Sequence, residues 1–373
     1  MSRFLSSLSL LTLAGCAATA TAPVPARADT VFSGGDPKIV YMGRTRLFTD
    51  YNYSPDKRKV EMYWTGSEAR IQFKGTTQVK ANLRGHDGTN GAYTDWAFVL
   101  DGQFVRREGA GGFGGTTTVL DKLSKGEHTL VIRRDGGGDN RMYIENLQLD
   151  DGAQLLQASP LNPKRRIEFY GDSVTESANP IRLPTSKDDD GDTWGGSNYF
   201  DYSAQVGRAF DADTRIIAKG GMGVSTSFWF NTTLRQVWDK EGAWPTAPAV
   251  DFKAWQPNVV IMAIGHNDQF NQDEKTDWRK LNFVPKYVAQ VKDLRRVYPS
   301  ACIICMNTTM TGPGFLDGAW SELKTLGDKK LVFFPFAQQK HGGHPTGPDH
   351  DAMAQTLTQK IAELTLWKPA APK

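Results

Sequence analysis

Cysteine and histidine are scarce in this chain, three and six of 373 residues. So little cysteine excludes a scaffold stapled by disulfides. Cys16 falls in an N-terminal leader, and the other two share the apolar run Ala301-Cys302-Ile303-Ile304-Cys305-Met306, which reads as a buried strand. Residues three apart on a strand point to opposite faces, which argues against a disulfide between them. One Cys-x-x-Cys with no further Cys or a His partner is also a weak metal signal. An excess of one charge is lacking as well, since 44 Lys and Arg face 41 Asp and Glu for a net +3. Neither a nucleic-acid footprint nor a polyanion-binding run results. No internal repeat is evident. What remains, with 39% hydrophobic and 11% aromatic residues, is the composition of a soluble globular protein long enough for two cores.

The apolar stretch from Phe4 to Leu13 is too short to span a bilayer, and Arg3 precedes it, as in the h-region of a secretory signal. Leu13-Ala14-Gly15-Cys16 resembles the bacterial lipobox, in which the Cys becomes the lipidated first residue, and an Ala/Thr/Pro-rich tether follows. Ordinary cleavage after Ala26-Arg27-Ala28 is the competing reading. The expectation is an exported protein anchored through Cys16 at the envelope, periplasmic or at the cell surface, or else secreted.

Beyond this leader and tether (1–30), the periodicity changes once. From 31 to 159 short runs alternate apolar and polar residues, as in Ala69-Arg70-Ile71-Gln72-Phe73 and Trp96-Ala97-Phe98-Val99-Leu100. Turn signals such as Asp101-Gly102 and Asp135-Gly136-Gly137-Gly138 separate them, which predicts an all-β sandwich of jelly-roll type. From 160 to 373 apolar strands alternate with helical spacing: Ile167 to Tyr170, Val259 to Ile264, Ile303 to Met306 and Leu331 to Phe334, with helices near Tyr287–Val297 and His350–Leu366. That order predicts an α/β domain with a doubly wound parallel sheet.

Four short motifs mark the ends of those elements: Gly171-Asp172-Ser173, Gly221-Met222-Gly223, Gly265-His266-Asn267-Asp268 and His344-Pro345. In a parallel sheet all four gather at the carboxyl edge of the strands, where such folds bind ligands. Ser173 sits where a strand runs into a helix, which exposes its hydroxyl; the plain alternative is that Asp172 and Ser173 cap that helix. The glycine cluster lets a backbone N–H approach a reacting carbonyl, or is a tight turn. Asn267 offers a neutral amide that stabilises negative charge without titrating, whereas Asp268 equally suits a helix cap. His344, in a loop ahead of the last helix, can take the proton of a serine near neutral pH. A metal site from His341, His344 and His350 fits no common zinc pattern. The acidic run Asp188-Asp189-Asp190-Gly191-Asp192 lacks the closing Glu of an EF-hand and reads as a solvated loop.

As an ordered set these motifs resemble the SGNH (GDSL-like) hydrolases. Phe73-Lys74-Gly75-Thr76, Val99-Leu100-Asp101-Gly102 and Leu123 to Leu130 narrow the resemblance to carbohydrate esterase family two, over about residues 31–366. It implies a serine esterase removing O-acetyl groups from xylan, glucomannan or related poly- and oligosaccharides, with no cofactor, no nucleic acid and membrane contact only through an N-terminal lipid. Ser173 is then the nucleophile, His344 the base, and the oxyanion donors are the N–H groups of Ser173 and Gly223, with Gly221 as fallback, and the amide of Asn267. Many relatives carry Asp three residues before the His; this chain has His341 there. In a serine protease the loss of a proper carboxylate partner costs ~10⁴ in turnover. A backbone carbonyl is the favoured replacement, with Asp349, Asp351 or His341 acting through water as alternatives. Trp194, Trp229 and Phe270 are candidates for stacking on sugar faces. A lipase or thioesterase and a sugar O-acetyltransferase use the same residues, and a non-catalytic glycan-binding envelope lipoprotein is the alternative from another class.

Overall fold

The structure, a computed structural model, describes residues 28–370 apart from 53, 87–93, 110–114, 161, 177, 179–195 and 270–281. The leader with Cys16, the acidic run, Trp194 and Phe270 therefore lie outside the described residues.

Strands are numbered along the chain. One antiparallel sheet runs β3 (Thr45–Phe48), β4 (Lys59–Met62), β11 (Arg141–Leu149), β6 (Val79–His86) and β9 (Thr116–Leu120), with β1 (Thr30–Ser33) beside β11. The other runs β12 (Gln154–Leu156), β5 (Glu68–Lys74), β10 (Glu127–Gly136), β7 (Thr94–Leu100) and β8 (Gln103–Gly109), with β2 (Val40–Met42) beside β5. The alternation seen in the sequence sets the register. Ala69, Ile71 and Phe73 of β5 are buried while Arg70 and Gln72 face outward, and Leu130 and Ile132 lie opposite Ile71 and Ala69. Leu83, Phe98, Ile144 and Leu147 complete a core between the two sheets.

The parallel sheet has the order β14 (Ala212–Ala218), β13 (Asn162–Gly171), β15 (Val259–Ala263), β16 (Cys302–Met306) and β17 (Leu331–Phe333). Its strands β15 and β16 are apolar on both faces because helices cover both. Tyr202 and Val206 of α2 (Tyr202–Ala209), with Met353, Leu357 and Ile361 of α6 (Gly347–Thr365), pack on Phe169 and Ile261. Tyr287, Val291 and Leu294 of α4 (Val284–Val297), with Ala319 and Leu323 of α5 (Asp317–Leu323), pack on Val260, Met262 and Ile303. Two short helices, α1 (Ser173–Glu176) and α3 (Leu234–Val237), lie beyond the carboxyl ends of β13 and β14. Cys302 and Cys305 of β16 are unbridged, as the strand geometry implied.

The domains are joined through polar side chains. Arg44, buried ahead of β3, donates to the carbonyls of Trp238 (2.7 Å) and Lys240 (2.8 Å), to Glu168 (3.0 Å) and to the Tyr170 hydroxyl (2.9 Å) of β13. Asp135, at the end of β10, accepts from Ser197 Oγ (2.6 Å) and from Tyr199 N–H (3.0 Å). The turn between β4 and β5 abuts β14, one of the two outermost strands: a Cβ on Gly66 would stand 2.8 Å from Ile216 Cδ1.

Candidate active site

β13 ends at Gly171, and the chain folds back at once into α1. A Cβ on Gly171 would stand 2.1 Å from Thr175 Oγ1, so only glycine admits this turn. Asp172 caps it, accepting Val174 N–H at 3.2 Å. Burial, and to a smaller degree the charge of Asp268, pushes Asp172 up to about 7. Ser173 follows, and its Oγ lies 2.9 Å from Nε2 of His344, a residue 171 positions away in the loop before α6. With the ring proton on Nδ1, Nε2 accepts the serine hydroxyl proton. His266, beside His344, is pushed down to about 4 by burial and by that neighbour, so it stays neutral.

β13 lies between β14 and β15, and loops from these two neighbours meet beside it. The Asn267 amide, beyond β15, donates to the Met222 carbonyl of the loop beyond β14 at 3.1 Å. An amide has two N–H groups, so this bond orients the side chain and leaves a second donor. Asp268, the next residue, holds the loop beyond β14. Its carboxylate gathers the N–H groups of Val224 (2.9 Å), Ser225 (2.6 Å) and Thr226 (3.1 Å) and the Ser225 hydroxyl (2.5 Å).

This geometry disagrees with Gly223 as the first-choice oxyanion donor. The Met222–Gly223 peptide is trans. Its carbonyl faces Asn267, so its N–H points to the opposite side, where Ser227 Oγ takes it at 3.2 Å. Gly221, the fallback, is two residues back in the same turn, with the Trp229 ring against its Cα.

Two of the candidates for orienting His344, His341 and Asp349, are spent on each other. His341 Nε2 lies 2.9 Å from Asp349 Oδ2 and its Nδ1 lies 2.9 Å from the Gly342 carbonyl, which together raise its pKa. Asp349 also receives Thr346 N–H at 2.7 Å as part of a capping box at the start of α6. Burial opposes its charge, yet Thr346 and His341 hold its pKa low. Neither side chain bonds to His344 directly. Asp351 accepts from Gln205 at 2.9 Å. His350 is fully buried and accepts Tyr202 N–H at 3.2 Å, so the three histidines of this segment serve different partners. Among the described residues, no group of three His, Cys, Asp or Glu side chains is arranged to hold a metal ion.

Of the aromatic candidates, Trp229 is 52% exposed, set edge-on to the exposed Phe228 at 4.9 Å. Glu176 and Lys219, which the sequence reading did not single out, also border the site. Glu176 accepts Gly220 N–H at 2.5 Å, and Lys219 pairs with Asp139 of the sandwich.

Comparison with known proteins agrees with this arrangement. Residues 41–159 match the N-terminal domain of carbohydrate esterase family 2, and residues 169–356 match the GDSL-like lipase/acylhydrolase family. The cellulase/esterase CelE of Acetivibrio thermocellus is 25% identical over 347 residues, and an acetylxylan esterase/glucomannan deacetylase of Cellvibrio japonicus is 26% identical over 352. The alignments take in 89% and 90% of this chain, which spans 40% of the first relative's length and 91% of the second's. A family two carbohydrate esterase from Clostridium thermocellum, solved with cellohexaose, superposes with a TM-score of 0.75 at 24% identity, covering 88% of this chain and 99% of that one. One from Cellvibrio japonicus gives 0.76 at 21%, covering 91% and 99%. At these identities the superpositions establish the fold, a β-sandwich followed by an SGNH domain. With the paired Ser173 and His344 lying inside the second matched region, the chain belongs to the GDSL-like lipase/acylhydrolase family, and it carries in front of that domain the N-terminal domain of carbohydrate esterase family two.

Proposed function

We propose that this protein is a serine carbohydrate esterase that removes O-acetyl groups from a polysaccharide or oligosaccharide through an acyl-enzyme. The observation that carries the reading is the 2.9 Å contact between Ser173 Oγ and His344 Nε2 at the carboxyl edge of the parallel sheet. The activities of its relatives from Cellvibrio japonicus, acetylxylan esterase and glucomannan deacetylase, supply the substrate class. His344 takes the hydroxyl proton as Ser173 attacks the acetyl carbonyl. The tetrahedral oxyanion is stabilised by Ser173 N–H, by the second amide proton of Asn267 and by Gly221 N–H in place of Gly223. The C–O bond to the sugar then breaks, and the alkoxide leaves with the proton from His344. Water, deprotonated by the same ring, repeats the attack and releases acetate. No cofactor enters these steps. The exposed Trp229 face beside Gly221 suits the apolar C–H surface of a pyranose.

The protein is further proposed to be exported and held at the envelope by a lipid on Cys16, with release as a secreted protein if cleavage falls after Ala28. Metabolic labelling with a tagged palmitate, compared between the native chain and Cys16→Ala, separates the two.

Hydrolysis of p-nitrophenyl acetate, butyrate and octanoate tests the activity. Acetate is expected to be preferred, and Ser173→Ala or His344→Ala to lose at least about 10⁴-fold in kcat. His341→Ala is expected to lose far less, because that ring serves Asp349. Preference for octanoate would make the protein a lipase, and turnover unchanged in Ser173→Ala would overturn the assignment.

A further inference from the structure

The nucleophile's own helix carries a buried carboxylate that the chemistry above does not use. Glu176 closes α1 and is 6% exposed. Its Oε2 accepts Gly220 N–H at 2.5 Å, and the N–H of Gly138, in the sandwich loop between β10 and β11, faces the same carboxylate. Arg134 of β10, 1% exposed, is the cation whose charge acts on it, and it pins that loop by donating to the carbonyls of Gly136 (3.1 Å) and Gly138 (2.8 Å). Asp139 of the same loop pairs with Lys219 and accepts the Tyr63 hydroxyl at 2.9 Å. Thr65, also of the sandwich, shares its hydroxyl between the carbonyls of Gly136 and Glu176, both at 3.1 Å. Of the residues immediately before Gly221, Lys219 is thus held by the sandwich directly and Gly220 through Glu176, which is itself seated on the sandwich, much as Asp268 holds Val224 to Thr226 from the other end of the loop.

Resting on the esterase reading, we infer that Glu176 is a positioning residue, through which the β-sandwich fixes the Gly220–Gly221 turn against the oxyanion formed at Ser173. A carboxylate this deeply buried is costly: burial pushes Glu176 up to about 7 against the pull of Arg134, Gly220 and Gly138, while Asp172 and Tyr63 face it from the remaining sides. A group with only a capping duty on a four-residue helix has no need of a partner in each domain. A donor that drifts by a fraction of an ångström stabilises the transition state less while leaving ground-state binding almost untouched.

The test is steady-state hydrolysis of p-nitrophenyl acetate by Glu176→Gln and Glu176→Ala, with Ser173→Ala alongside and a melting curve for each. The expected result is a kcat about tenfold lower in Glu176→Gln and about thirtyfold lower in Glu176→Ala, with KM within about twofold and no matching loss of melting temperature. Glutamine keeps one carbonyl for Gly220 N–H, which is why it rescues in part. Asp139→Asn, at a half-exposed position safe for folding, is expected to lower kcat about threefold by freeing Lys219. The inference is overturned if kcat stays within twofold in all three while Ser173→Ala is dead, or if the loss follows melting temperature alone. An active Ser173→Ala would instead remove the esterase reading beneath it.

Discussion

The seam between the two domains is of two kinds. Around Arg44, Arg134 and Asp135 it is closed, and buried charges find partners across it, Arg44 on Glu168 and Tyr170, Asp135 on Ser197 and Tyr199. Further along, the outer face of the second sandwich sheet stands away from α2 and α6 and leaves a cavity of about 1250 Å³, lined by Val99, Phe104, Val131, Tyr199, Ala204 and Gln355 among others. The closed part is the part that touches α1 and the loop after β14. Burying charge at a seam is a poor way to gain stability, but a directional network fixes relative position better than apolar contact does. The difference teaches that the domains are locked together where the proposed chemistry needs geometry and left loose where it does not.

Arg44→Ala attacks the closed seam at a buried ion pair, leaving Glu168 without Arg44. A loss of about 3–5 kcal/mol is expected by denaturant unfolding, with both domains losing structure together. Asn267→Ala leaves the seam intact and removes one proposed oxyanion donor, so kcat is expected to fall by about 10²–10³ with melting unchanged. Glu176→Gln separates the two contributions by pH. The folded-state pKa of Glu176 is raised, so the folded protein binds the extra proton, and stability from this group is full below its unfolded pKa and lost as pH rises towards about 7. The neutral amide has no such dependence. Relative to the native chain, the variant is therefore expected to melt higher at pH 8 than at pH 5, even as its turnover falls. Val131→Ala lines the open seam and is expected to change stability by less than about 1 kcal/mol, because its side chain borders a space wide enough for water. A loss comparable with that of Arg44→Ala would show the seam to be tight throughout.

Much of this arrangement was legible in the sequence because it is written in local pattern. Ala69, Ile71 and Phe73 alternate as a half-buried strand must, and Val259 to Ala263 is apolar on every residue as a strand covered on both faces must be. Ser173 and Asn267 follow strand ends and His344 precedes the last helix, so their convergence followed from a parallel sheet. The capping box of Thr346 and Asp349 was also there to be read, since Thr-x-x-Asp opens the last helix, and it explains why Asp349 was already committed. Arg44 with Glu168, Glu176 with Gly220 and Asp268 with Ser225 were not legible, being pairs 124, 44 and 43 residues apart. Hydrophobic periodicity carries no information about which buried charge meets which. The choice between Gly221 and Gly223 rests on the direction of a single peptide plane, which residue type does not encode.

The turn at Gly66 lies against β14, an outermost strand of the parallel sheet. A strand with a bare flank is a template on which a second chain can assemble, so a hydrolase half expressed from about residue 160 would offer that flank to its own copies. The sandwich acts here as an aggregation guard. Shortening the protein to its reactive half would therefore be limited by solubility before it was limited by catalysis.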